Sequence, residues 1–70
     1  MEENMDESAL WDEIGKIHLR ISSFDDAVAA FSRAISLNAQ QARYYSDLAA
    51  AYCYKGKNIE AIALYHKCLE

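Results

Sequence analysis

The segment Trp11-Asp12-Glu13-Ile14-Gly15-Lys16-Ile17-His18 returns 34 positions later, in altered form, as Tyr45-Ser46-Asp47-Leu48-Ala49-Ala50-Ala51-Tyr52. A second echo follows each copy at the same distance, Ala27-Val28-Ala29-Ala30-Phe31 and Ala61-Ile62-Ala63-Leu64-Tyr65, both Ala-x-x-x-aromatic. At that offset Trp11 pairs with Tyr45, Ile14 with Leu48, Gly15 with Ala49 and His18 with Tyr52. Asp26 pairs with Glu60, Val28 with Ile62, Phe31 with Tyr65, Arg33 with Lys67 and Ile35 with Leu69. Size and polarity survive where identity does not. A fixed period of this length means one supersecondary unit used twice, each unit burying an apolar face against its neighbour.

Within each unit the apolar residues fall at steps of three and four, which places them on one side of a helix. Leu10, Trp11, Ile14, Ile17, His18 and Ile21 form such a stripe on a first helix from Ser8 to about Ile21, expected to be its buried face, with Asp6 or Ser8 as the cap. Ser23, with Asp26 three residues on, resembles a capping box and opens a second helix. That helix carries Phe24, Ala27, Val28, Phe31, Ala34 and Ile35 and stops near Leu37, at Asn38. A third helix, from about Gln41 to Lys55, repeats the first through Tyr44, Tyr45, Leu48, Ala51 and Tyr52, and Gly56 supplies the left-handed residue that ends it. Asn58 is expected to cap a fourth, with Ile59, Ile62, Tyr65 and Leu69 on its apolar side and the chain stopping inside it. There is no proline and no period-two alternation. The fold class is therefore all-α, with short turns that make successive helices antiparallel.

The net charge of −4, from 11 acidic and 7 basic residues, argues against a nucleic-acid backbone or an anionic membrane as partner. Glu2, Glu3, Asp6 and Glu7 concentrate that acidity in a lead-in over 1–7, expected to be flexible. No apolar run is long enough to span a bilayer and the polar start lacks a signal-peptide core, so a soluble, cytoplasmic protein is expected. Cys53 and Cys68, outside any Cys-x-x-Cys, read as reduced thiols.

These spacings resemble the tetratricopeptide repeat, whose signature is a Trp-x-x-Leu-Gly-x-x-Tyr helix followed by an Ala-x-x-x-Phe helix. Trp11, Gly15, Ala27 and Phe31 match it in the first copy, and Leu48, Tyr52 and Ala61 in the second. Ala39 stands where the family often has proline, and Asn58 where it commonly has an aromatic residue such as Phe24. The resemblance covers a first repeat at 8–41 and a second, shortened at its C-terminal end, at 42–70. It implies a right-handed α-solenoid of two helix-turn-helix hairpins. It also implies a protein-protein interaction module that holds a peptide or protein segment in a concave groove lined by the first helix of each repeat.

Subtracting the apolar stripes leaves Ala9, Asp12, Lys16, Leu19 and Arg20 on the first helix and Arg43, Ser46, Ala50, Cys53 and Tyr54 on the third as the candidate groove. Lys16, Arg20 and Arg43 are expected to favour carboxylates on the ligand, with Leu19 and Tyr54 in apolar contact. Some members of the family clamp a terminal carboxylate with Lys and Asn. The corresponding positions here are Asp12, Lys16 and Asp47, so that clamp is not expected.

Catalysis has little support. His18 lies in the apolar stripe and reads as a packed, hydrogen-bonded ring. His66 and Cys68 fall on different helix faces, and Cys53 is a helix away; Cys68 pairs with Ala34 at a small position expected to be buried. Glu13 and His18 are five apart rather than the four of a helical metal pair, and no phosphate loop or nucleophile motif occurs. Neither enzyme activity nor a metal or cofactor is expected. The fourth helix, with Ile62, Tyr65 and Leu69 apolar to its end, is expected to self-associate as a homodimer. The alternative is a structural or oligomerisation segment of a larger protein, with no peptide ligand of its own.

Overall fold

The computed structural model describes residues 7–69, which form four helices with no strand among the described residues. They are α1 (Glu7–Arg20), α2 (Phe24–Leu37), α3 (Ala42–Tyr54) and α4 (Asn58–Leu69). Most of the expected lead-in, and Asp6 as a cap, lie outside the described residues. Glu7 is already the first residue of α1 and Ser8 is inside it, so Ser8 is not the cap; its hydroxyl instead meets Tyr44 Oη at 3.1 Å.

The duplication is repeated bond for bond in the two hairpin turns. Ser23 N–H donates to His18 C=O at 2.8 Å and Ser22 N–H to Leu19 C=O at 3.0 Å. Thirty-four residues on, Lys57 N–H donates to Tyr52 C=O at 2.8 Å and Gly56 N–H to Cys53 C=O at 3.0 Å. This pair of bonds uses two otherwise orphaned helix carbonyls and needs a left-handed residue just past the helix. Gly56 takes that conformation at φ +85°, and Ser22 takes it at φ +65° despite carrying a Cβ.

The starts of α2 and α4 correct two expectations. Ser23 occupies the cap position but its side chain makes no capping bond, so the capping box does not form. Asn58 is the first residue of α4, and it is Lys57 C=O that accepts the Ala61 N–H at 3.1 Å, as Ser23 C=O accepts that of Ala27 at 2.9 Å. Asp25 and Asp26 lie in the first turn of α2, where the helix dipole favours negative charge. At its far end α2 stops at Asn38, whose backbone leaves the helical region (φ −152°, ψ 87°) and whose Oδ1 accepts the Gln40 N–H at 3.2 Å, turning the chain toward α3.

Inside, small residues admit large ones. Ala27, Ala34, Ala49, Ala51 and Ala61 are buried, and Phe31 fills the space that Gly15 leaves open in α1. Phe31, Leu48 and Ala51 form one cluster across α2 and α3, with Leu19, Val28, Ile35, Tyr52 and Leu64 packed against it. Burying a ring such as Phe31 stabilises by about 1.5–3 kcal/mol. Trp11 is half-buried, with the Arg33 guanidinium 5.9 Å from its ring.

The stripe of α1 behaves differently from that of α3. Leu10, Ile14, Ile17 and Ile21 are exposed, contrary to expectation, whereas Tyr44 and Leu48 at the equivalent places are buried. α3 is flanked by both α2 and α4, whereas among the described residues α1 packs on α2 and only touches α3, which leaves these four side chains exposed. His18 and Cys68 are likewise only half-buried, and His18 Nδ1 has no hydrogen bond.

Each helix packs on its successor, and α1 also touches α3, while α4 meets neither α1 nor α2. The Cα atoms extend 40 × 30 × 14 Å, a slab about as thick as two layers of helix.

Candidate functional site

The candidate site is the side on which α1 and α3 meet. Helical spacing places Ala9, Lys16, Leu19 and Arg20 along α1 and Arg43, Ser46, Ala50, Cys53 and Tyr54 along α3. Arg20, Arg43, Cys53 and Tyr54 are exposed, and the other five are partly covered.

Asp12 breaks the pattern. Expected on the outward face, it is 0 % exposed. It is turned into the seam between the two helices, where the charges of Asp12, Lys16 and Arg43 all act on Asp47. Two ionised carboxylates can only accept hydrogen bonds. Accordingly Asp12 Oδ1 and Oδ2 and Asp47 Oδ2 are buried with no hydrogen-bond donor. Burial foremost, and then the Asp12 carboxyl beside it, push Asp47 up to about 7, against the opposing pull of Lys16 and Arg43. A proton on Asp47 turns two repelling acceptors into a donor and an acceptor.

Lys16 Nζ stands 3.3 Å from Asp12 Oδ2 and 3.8 Å from Glu13 Oε2. At 3.3 Å it is an ion pair with Asp12 without the alignment of a hydrogen bond, which is why the Asp12 oxygens remain without a donor. The polar contact with Asp12, followed by the charge of Asp12, holds the Lys16 ammonium above its usual range. Lys16 is therefore paired within the chain. Arg43 is exposed, its guanidinium 5.5 Å from the Tyr44 ring.

Tyr54 also has a neighbour. Its ring stacks on Phe24 with centroids 5.5 Å apart and planes 9° from parallel, and beside it Lys55 pairs with Asp25. One face of the Tyr54 ring is thus used to join α3 to the start of α2, at the edge of a hollow that Ser22, Ser23 and Asp26 also line. The seam carboxylate Asp47 is the residue that sequence reasoning left out of the groove.

The arrangement combines the buried Asp12 and partly buried Asp47 with small side chains at Ala9, Ser46 and Ala50 and the exposed Arg20 and Arg43. Among the described residues no group of three or more His, Cys, Asp or Glu side chains is placed to hold a metal ion, and no helix is long and apolar enough to cross a membrane. Cys53 and Cys68 are free thiols. Comparison with family models, curated proteins and solved structures returned no match.

Proposed function

We propose that the chain is a pair of tetratricopeptide-type repeats forming a right-handed α-solenoid, and that its α1/α3 side holds an extended or helical segment of another protein. The observation that carries the reading is an asymmetry of contact: α1 touches α3, but α2 does not touch α4. Hairpins that close on one side and splay on the other leave the closed side concave. Small residues there leave room for a backbone, and Arg20 and Arg43 at the rim favour a segment bearing carboxylates. No catalytic step is assigned. Two unpaired thiols suit a reducing, cytoplasmic setting.

The test is selection of a peptide library against the 70-residue chain, followed by NMR mapping of the selected peptides. Acidic peptides that move the amides of Lys16, Ser46 and Ala50 and lose binding to Arg20→Glu/Arg43→Glu support the reading. Recovery of no peptides, or of peptides that map to α2 and α4, rejects it. The second reading, a segment that only packs on its neighbours, is favoured by the exposure of Ile62 and Leu69 on α4.

A further inference from the structure

Among the described residues one repeat meets the next where α3 packs on α2 and touches α1, and that seam supplies a template for what the remaining exposed faces fit. On its α3 side are Tyr44, Leu48 and Ala51, which are 1 %, 6 % and 0 % exposed; 34 positions earlier, Leu10, Ile14 and Ile17 on α1 are 48 %, 39 % and 52 % exposed. On its α2 side Phe31 is 0 % exposed; 34 positions later, Tyr65 on α4 is 41 % exposed. Among the described residues the two halves of the internal seam thus recur unmated on α1 and α4, which do not meet.

From this we infer that the apolar face of α1 in one copy docks on α4 of a second copy, head to tail, in the geometry by which α3 docks on α2. The occupant is a second copy because the substitutions at the new seam complement one another. Asp25 and Lys55, which pair across the internal seam, are replaced by Ile59 and Ile21, both exposed, so an ion pair becomes an apolar contact. Asp47 and Asp12, the crowded carboxylates, are replaced by Glu13 and Ser46, so a hydroxyl meets a carboxylate where two acids met before. At both places the translation leaves no like charges opposed. Such a contact is heterologous: each copy keeps one free half, and assembly is open-ended rather than closed at two. This differs from a symmetrical dimer through α4, and it does not depend on the groove binding a ligand.

The experiment is sedimentation velocity across a dilution series with the whole chain, Ile17→Lys and Ile62→Lys, each checked for helicity by circular dichroism. Both substituted side chains are more than half exposed, so the monomer fold should survive. Head-to-tail docking predicts that the parent exceeds twice its 7.9 kDa mass at high concentration. It predicts that each variant alone is monomeric, and that an equimolar mixture of the two forms a dimer and stops. An Ile17→Lys variant that self-associates like the parent while Ile62→Lys does not would establish the symmetrical α4 dimer instead. A parent that is monomeric throughout would overturn the inference and leave these faces to segments of other chemistry.

Discussion

The Phe31 ring occupies the place where a side chain at position 15 would begin: a Cβ built on Gly15 falls 2.5 Å from Phe31 Cε1. Phe31 is fully buried, so the ring has nowhere to retreat without moving α2. Gly15→Ala should therefore cost about 1–3 kcal/mol by overpacking. Ala27→Leu, at another fully buried small position, belongs to the same range. Urea unfolding followed by circular dichroism measures both; an unchanged midpoint for Gly15→Ala would contradict the packing described.

Ser22 and Gly56 hold the same turn with unequal ease. A left-handed residue with a Cβ loses about 1–2 kcal/mol, part of which glycine gives back through its freer unfolded chain. Ser22→Gly should stabilise the protein by about 0.5–1 kcal/mol, and Gly56→Ala should destabilise it by about 1–2 kcal/mol. For a chain of this length each 1 kcal/mol moves Tm by about 4–8 °C, well within the resolution of a thermal melt.

Asp47 makes stability depend on pH in an unusual direction for a carboxylate. Its folded value, about 7, lies above the roughly 3.9 of an unfolded aspartate, so the folded state binds the extra proton between those values. The contribution is complete below about pH 4 and is lost as pH rises through about 7. Asp25, lowered by its hydrogen bond to Lys55 and then by that charge, works oppositely, its contribution disappearing as pH falls below the unfolded value. Across pH 5 to 7 the Asp47 effect should stand alone of the two, and Tm should fall with rising pH. Asp47→Asn should flatten that slope and, above pH 7, raise stability by about 1 kcal/mol, because an amide donates to Asp12 without needing a proton. A parent and variant with parallel profiles would refute the shared-proton seam.

Lys16 should matter to folding before it matters to any ligand. Its side chain is 40 % exposed but Asp12 is fully buried, so the pair lies between a surface and an interior salt bridge. Lys16→Met, which keeps the stem and removes the charge, should cost about 1–3 kcal/mol. Adding Asp12→Asn should recover most of it, and a double-mutant cycle reads the coupling directly. Additive losses would mean that the two side chains do not act as a pair.

The helices and their turns were legible from the period alone because each helix carries its own stripe, and a repeat compels matching ends. Burial was less legible. Leu10 and Tyr44, or Ile14 and Leu48, look alike in sequence, and what separates them is whether a neighbouring helix covers the stripe, a fact no local pattern contains. Ser22 gave no signal of its own because serine is not a residue that marks left-handed backbone, yet its partner at the repeat offset, Gly56, announces that requirement plainly. Of the candidate face, the placement of its residues on α1 and α3 was readable from the period. Asp12 was misplaced because an acid on a helix looks solvated until its contact with a second helix is known.

Among the described residues α1 and α4 never meet, so no contact between the first and last helices closes the fold. Amide exchange should accordingly follow a gradient along the chain, slowest in the middle pair of helices and fastest toward α4. Refolding, with only near-neighbour pairings to find, belongs to the microsecond-to-millisecond regime of helical proteins.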